Sequence, residues 1–363
     1  MNNLLNLKNK KIICFFCGPG FMLNYHTANF IAACKNNNHK VLLACIDKGN
    51  EKNIDFCFDS KRREFRFSDL FKLSDFINFL KVNKVDSLVF FSPKASFFAI
   101  LIRLFVRNID LFHWHRGIYY ENWKGIKYNL AKILDWVIIR VSKKNFYCSK
   151  SQFDWLKSKK VIGSDKTYDR KYQGFVGVKK NTKNNYMPEF DFGFIGRICK
   201  DKGFIDFYKL FLESNNKNLN YKFLIKGSID DSDLEIADAI KSMRGHKNVH
   251  FLEWDNNVEF FYRNIKIHFF PTLREGFGNV AIEAASYGVP TIAVDGIGLR
   301  DSVSPDTGIL VQNRNSLVES ALKMIDEEFI SSNPAVCKTA MEWVYNNHFT
   351  ENLIKELLIK HEF

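Results

Sequence analysis

Apolar and polar positions fall in blocks along this chain of 363 residues. Lys11–Cys17, Val41–Ile46, Ser87–Phe91, Leu111–Trp114 and Asn145–Cys148 are short, nearly continuous apolar runs. Runs of that length, apolar on both sides, predict buried strands of a parallel sheet. Between them, His26–Asn36, Leu73–Asn83, Ser96–Val106 and Ile126–Val141 show helical spacing, and Gly18, Pro19 and Gly20 make a turn after the first run. Strand, turn, helix and strand in that order open a βαβ unit. The alternation stops over Ser158–Pro188, which is polar and rich in Lys, Asn and Asp, and resumes at Phe190. There the expected strands are Phe192–Ile195, Lys222–Ile225, Val249–Leu252, Ile265–Phe270 and Pro290–Val294. Helices are expected at Phe204–Glu213, Asp233–Arg244, Asn257–Asn264, Asn279–Tyr287 and Ser316–Glu328, with more helix in the tail. The pattern predicts two α/β domains, 1–165 and 190–340, joined by a linker over 166–189.

Composition adds limits. At 46% hydrophobic residues the chain can build real cores, yet no apolar run reaches the roughly 18 residues needed to span a bilayer. The start, MNNLLNLKNKK, has no long apolar segment and no small-residue cleavage site, so no secretory signal is expected. The eight cysteines are scattered; Cys14 and Cys17 lie inside the first strand pattern, and no second pair completes a zinc site. A reduced, cytoplasmic protein is expected. Charge divides the chain: residues 1–180 hold 33 Lys and Arg against 14 Asp and Glu, net +19, and residues 181–363 hold 20 against 26, net −6. A split this sharp implies different partners for the two halves.

The chemistry concentrates in Pro271–Gly288, PTLREGFGNVAIEAASYG. A strand, a loop holding Gly276 and Gly278, and a helix start make a phosphate-binding construction. Glycine lets the backbone approach the ligand, and the helix end favours an anion. Glu275 and Glu283 would repel a phosphate, but carboxylates accept well from the vicinal diols of a sugar and a ribose. Gly196-Arg197 and Asp201-Lys202-Gly203 come after the strand Phe192–Ile195. Ligands bind at the carboxyl ends of such strands, and two cations there would neutralise a diphosphate and stabilise its charge as it leaves. The residues thus point to a nucleotide-sugar site. Asp230, Asp231 and Asp233 form an Asp-rich stretch before a helix pattern; acids at a helix start are favoured by its dipole, so capping is expected and no catalytic metal.

These residues resemble a group 1 glycosyltransferase of the retaining family 4 type. The likeness is carried by Phe194-Ile195-Gly196-Arg197 with Lys202-Gly203, by Val249-His250-Phe251-Leu252, and by Phe270-Pro271-Thr272. It continues through Glu275-Gly276-Phe277-Gly278-Asn279-Val280-Ala281-Ile282-Glu283-Ala284, Gly288-Val289-Pro290-Thr291 and Asp306-Thr307-Gly308-Ile309-Leu310-Val311. The resemblance implies the α/β GT-B fold, two Rossmann-like domains with parallel sheets facing a cleft, and a C-terminal helix over 341–363 returning to the N-terminal domain. It implies Glu275, Arg197, Lys202 and His115 as catalytic. It assigns the donor to Glu283, Gly276, Phe277, Gly278, Asn279, Val280, Gly18 and Gly20. His115 would contact the donor sugar; His113, on the same strand face, is the alternative. The reaction implied moves a sugar with retention from a nucleotide sugar to a saccharide or lipid-diphosphate-linked acceptor, with no cofactor and no metal.

The basic half carries a second expectation. Ser96–Asn108 mixes bulky apolar residues with Arg103 and Arg107; Lys61-Arg62-Arg63 and Arg66 stand beside Phe65 and Phe67. Aromatics among cations suit a bilayer interface, so a peripheral place on the inner face of the plasma membrane is expected, within cell-surface polysaccharide or lipopolysaccharide synthesis. Two other readings compete. A nucleotide-sugar epimerase of similar fold would need no acceptor. A nucleic-acid binder would use the cations alone and leave Glu275 and Glu283 without a task, so no nucleic-acid partner is expected.

Overall fold

A computed structural model of the chain describes residues 11–25, 27–61, 65–166, 188–229, 233–255, 257–326 and 334–348. The chain forms two compact units, which among these residues are 11–166 and 188–348.

The first unit holds a six-stranded sheet. Its strands are β1 (Ile12–Pro19), β2 (Lys40–Asp47), β3 (Phe56–Cys57), β4 (Ser87–Phe90), β5 (Asp110–His115) and β6 (Lys144–Tyr147). All neighbours are parallel, in the order β3-β2-β1-β4-β5-β6. The chain builds outward from β1 in one direction, then returns to β4 and builds in the other. The helices are α1 (Phe21–Tyr25), α2 (Ala28–Asn36), α3 (Ser68–Val82), α4 (Pro93–Phe105), α5 (Gly125–Val141) and α6 (Lys150–Ser158). Crossovers between parallel strands are right-handed, so α3, α4 and α5 share one face of the sheet. Successive strand residues point to opposite faces, and β1 shows it. Phe16 joins a core with Phe76 of α3, Phe98 of α4 and Ile138 of α5, while Phe15 meets Phe30 of α2 edge-on at 5.5 Å between centroids.

The second unit repeats the plan. Its strands are β7 (Phe190–Ile195), β8 (Phe223–Lys226), β9 (Val249–Leu252), β10 (Ile265–Phe270), β11 (Thr291–Val294) and β12 (Gly308–Val311), in the parallel order β12-β11-β10-β7-β8-β9. Its helices are α7 (Phe204–Asn216), α8 (Leu234–Met243), α9 (Glu259–Arg263), α10 (Asn279–Ser286), α11 (Leu299–Ser302), α12 (Leu317–Asp326) and α13 (Pro334–His348). Phe207, Ile236 and Leu317 seal α7, α8 and α12 to one sheet face. Phe261 and Ala284 seal α9 and α10 to the other. Helix α13 lies on α10: Tyr345 Oη donates to the Ser286 carbonyl at 3.2 Å.

The expected strands are all present, displaced by at most a few residues. Pattern reading passes over β3, which has two residues, and β12, which has four. Gly308 opens β12, where a Cβ would lie 1.9 Å from the Thr291 carbonyl oxygen; only glycine lets β12 pair with β11 there. Helix α6, nine residues long with Phe153 and Leu156 buried, is absent from the expected elements. Its N-cap Ser149 accepts from the Gln152 N–H at 3.2 Å. Cys14 and Cys17 are buried in β1, and burial pushes both thiols up. His26, residues 167–187 of the expected linker 166–189, and residues 349–363, on which most of the returning helix is expected, lie outside the described residues.

Candidate active site

Each sheet changes building direction once, between β1 and β4 in the first and between β7 and β10 in the second. The connections leaving two such strands part to opposite sides and open a crevice at their carboxyl ends. In the second unit the crevice is framed by the segments leaving β7 and β10. After β7 comes a short 3-10 turn, Lys200–Lys202, ended by Gly203 at φ 72°. A Cβ on Gly203 would fall 2.0 Å from the Pro271 carbonyl oxygen, so the turn lies directly on the strand end of β10. The Leu273 N–H donates to the Asp201 carbonyl at 3.0 Å. Arg314, after β12, fastens both sides: Nε donates to Asp206 Oδ2 at 2.8 Å, and Nη2 to the Pro271 carbonyl.

This clamp brings Lys202 to Glu275. Lys202 Nζ and Glu275 Oε1 form an ion pair whose side chains are 25% and 17% exposed. Thr272 Oγ1 also donates to Glu275 Oε1, at 3.4 Å. The loop then runs into α10 through Gly278, which admits no side chain. Gly278 caps the helix at φ 91°, with Ser302 Oγ 2.7 Å from where a Cβ would stand. Gly298, at φ 83°, lies as closely against Gly276. Asn279 and Val280 form the first turn of α10, where N–H groups lack intrahelical partners and the dipole favours an anion. Phe277 is buried with its ring edge-on to His348 at 5.3 Å. Its side chain serves packing, which leaves its backbone for a ligand.

Glu283 sits one turn into α10, partly buried. Its Oε2 accepts from Tyr262 Oη at 3.1 Å, and the same hydroxyl lies 3.1 Å from the Val280 carbonyl. Burial pushes the carboxyl up to about 7, against the opposing pull of the Tyr262 hydrogen bond. A carboxyl poised there can give up its proton when a hydroxyl-bearing ligand arrives. Arg197 is exposed just past β7 and has no ion pair among the described residues, while Lys202 and Glu275 are brought together beside Gly276 and Gly278. Lys226 ends β8 buried, bonded to Asp255 Oδ1 at 2.6 Å. Gly227 beside it packs on Gly196, where a Cβ would lie 1.8 Å from the carbonyl oxygen.

Gly18, Gly20 and His115 belong to the first unit, at the carboxyl edge of its sheet. Gly18, near the end of β1, packs against Ser92, whose Oγ would stand 3.1 Å from an added Cβ. Ser92 itself holds φ 85° at the start of α4, a strained conformation for a residue with a side chain. The Gly20 N–H donates to the Asp47 carbonyl at 2.8 Å. His113 and His115 are both buried and joined Nδ1 to Nε2 at 2.9 Å; Ser96 Oγ meets His113 Nε2 at 3.2 Å. Burial pulls His115 down to about 3, and burial with the neighbouring ring pulls His113 well below its usual range. Both rings are neutral hydrogen-bonding groups at physiological pH, and the two candidates form one unit.

Sequence reasoning missed Tyr262, Ser96, Arg314 and the surroundings of Arg116. The Arg116 guanidinium lies 4.8 Å from the Trp114 ring centroid and keeps a buried Nη1 without a hydrogen-bond partner among the described residues. Its position directly after β5 was the one available signal. Asp233 caps α8 by accepting from the Glu235 N–H at 3.0 Å; Asp230 and Asp231 lie outside the described residues. Among the described residues no three His, Cys, Asp or Glu side chains gather to hold a metal ion, and no helix is long and apolar enough to cross a membrane.

Two doubly wound parallel sheets in succession are the GT-B architecture. The fold is similar to that of HepE from Anabaena, solved in complex with UDP, with a TM-score of 0.69 at 12% identity over 96% of this chain and 98% of that one. Residues 178–347 match the family model described as glycosyl transferases group 1. The chain is 27% identical over 302 residues to the capsular polysaccharide biosynthesis glycosyltransferase CapM of Staphylococcus aureus, covering 77% of this chain and 78% of the relative. It is 26% identical to the O-antigen biosynthesis glycosyltransferase WclY of Escherichia coli, covering 62% of this chain and 69% of that one. The chain is a glycosyltransferase whose residues 178–347 carry the group 1 pattern.

Proposed function

We propose that this glycosyltransferase works with retention and without a metal. It moves a sugar from a nucleotide-sugar donor to a saccharide or lipid-diphosphate-linked acceptor in the synthesis of a cell-surface polysaccharide or lipopolysaccharide. The observation that carries the reading is the Lys202–Glu275 pair beside the Gly276–Gly278 loop and the start of α10. The diphosphate rests on the backbone of Gly278, Asn279 and Val280, Lys202 grips it, and Arg197 is the second cation at the same sheet edge. Glu275 accepts from hydroxyls of the transferred sugar, and Glu283 from the ribose diol. As the bond between C1 of the sugar and the phosphate oxygen breaks, the acceptor oxygen bonds to C1 on the same face and its proton passes to the leaving phosphate. Lys202 and Arg197 stabilise the charge that develops there. His115 and the Gly18–Gly20 turn are the donor-binding candidates of the first unit. The relatives named for capsule and O-antigen synthesis support the setting, and the basic first half supports a peripheral site on the cytoplasmic face of the plasma membrane.

The test is a screen of nucleotide sugars by ligand-induced thermal shift, followed by turnover with candidate acceptors in chelator. The anomeric configuration of the product is read by NMR. Glu275→Ala turning over as fast as the native enzyme would remove the assigned site, and an inverted product would remove the retaining reading.

A further inference from the structure

We propose that the outer face of α3, α4 and α5 is a docking surface for an anionic lipid bilayer. This deepens the peripheral-membrane part of the reading above and rests on it. The three helices lie side by side over one face of the first sheet. Their inner sides fill the core with Phe76, Phe98, Ile102 and Ile138. A helix in such a layer ordinarily turns a polar stripe outward. Here the outward sides carry large apolar residues among the polar ones. Phe67 and Phe71 at the start of α3, Leu104 and Phe105 on α4, and Ile126 and Leu130 on α5 are between 61% and 79% exposed. Phe65 reaches across to Phe97 of α4, ring edge to ring at 5.8 Å, so the patches of α3 and α4 are joined. Contiguous exposed apolar surface of this kind marks an interaction site.

Charge selects the occupant. Lys72, Lys81, Arg103, Lys127 and Arg140 are exposed on these helices. Of the acids, Asp69 and Asp135 are buried, leaving Asp75 as the one exposed acid on the three helices. The Arg140 guanidinium lies 3.7 Å from the Trp136 ring centroid, pairing an aromatic body with a cationic head as residues at a headgroup boundary do. A second copy of this face would bring cations against cations, which disfavours self-association. A leaflet of anionic lipid meets the apolar residues with acyl chains and the cations with headgroups. The half of the chain that carries the face is net +19 (33 Lys and Arg against 14 Asp and Glu), and the other half is net −6.

The experiment is co-sedimentation of the full-length protein with vesicles of phosphatidylcholine alone or mixed with phosphatidylglycerol. Binding is expected to the mixed vesicles only and to weaken with salt. The triple variant Phe71→Glu, Leu104→Glu, Leu130→Glu is expected to lose about tenfold or more in partitioning. The variant Leu234→Glu, Phe260→Glu, at exposed positions of the second unit, is expected to bind as the native chain does. Arg103→Glu with Lys127→Glu keeps the apolar residues and should lose the preference for phosphatidylglycerol; it decides alone if the triple variant fails to fold. The proposal is overturned if the native chain stays in the supernatant with mixed vesicles, or if the Glu variants of the first unit bind undiminished. It is equally overturned if sedimentation velocity without lipid shows a dimer that the triple variant abolishes. The readout uses neither donor nor acceptor, so its failure leaves the transferase reading standing.

Discussion

Glu283 offers a measurement that ties the geometry of α10 to donor binding. Its carboxyl is held at about 7 by burial, so near neutral pH a large share of the free enzyme carries a proton there. Accepting hydrogen bonds from both hydroxyls of a ribose diol, one on each oxygen, favours the carboxylate. Donor binding should therefore expel that proton, and affinity should rise with pH until the carboxyl is ionised. With a free-state value of about 7, affinity should be about tenfold weaker at pH 6 than at pH 8, or ~1.4 kcal/mol. Near pH 6.5 roughly three quarters of a proton should leave per ligand bound. Intact nucleotide sugars are the suitable ligands, because their diphosphate diesters do not titrate in this window. Isothermal calorimetry in buffers of different ionisation heat counts the proton directly. Glu283→Gln should bind more weakly and lose the pH dependence. Constant affinity across this range, proton uptake, or the same slope in Glu283→Gln would refute the assignment. The same group sets a stability trend. The folded state keeps a proton that the unfolded state loses above its ordinary 4.5, so stability falls as pH rises from there to about 7. The loss is at most about 3 kcal/mol, and Glu283→Gln should flatten the dependence of Tm on pH.

Lys202→Met should lower kcat/KM about a hundredfold or more through lost charge stabilisation of the leaving diphosphate, read in steady-state turnover with the donor found by screening. Gly278→Ala puts a Cβ 2.7 Å from Ser302 Oγ at φ 91°, and should cost about 1–3 kcal/mol in denaturant unfolding together with donor affinity. His115, held at about 3, should show no imidazole titration by NMR between pH 5 and 8, and a titration in that range would contradict its burial.

The parts of this molecule written in local order were legible from its residues. The Glu275–Glu283 loop and the Gly196–Gly203 segment each come directly after an apolar strand, so spacing alone placed them at strand ends. Parallel order could be read from the alternation, because a parallel neighbour requires a crossover between strands. What stayed hidden was long-range. Arg314 fastens Asp206 across 108 positions, and Tyr262 meets Glu283 across 21. Neither pair obeys a helix or strand period, since each depends on which loops the sheet order brings together. The surroundings of Phe277 and Arg197 likewise required burial to be seen: the first ring is packed away, and the second side chain is exposed.

The paired imidazoles of the first unit have a directional consequence. Each neutral ring carries a single hydrogen, and one hydrogen bridges His113 Nδ1 and His115 Nε2. If it belongs to His113, the Ser96 hydroxyl donates to that ring and His115 holds its own hydrogen on Nδ1. If it belongs to His115, the chain runs backwards, Ser96 accepts, and His115 Nδ1 is left with a bare lone pair. Rotation of one serine hydroxyl thus accompanies the reversal of polarity at a ring atom two links away.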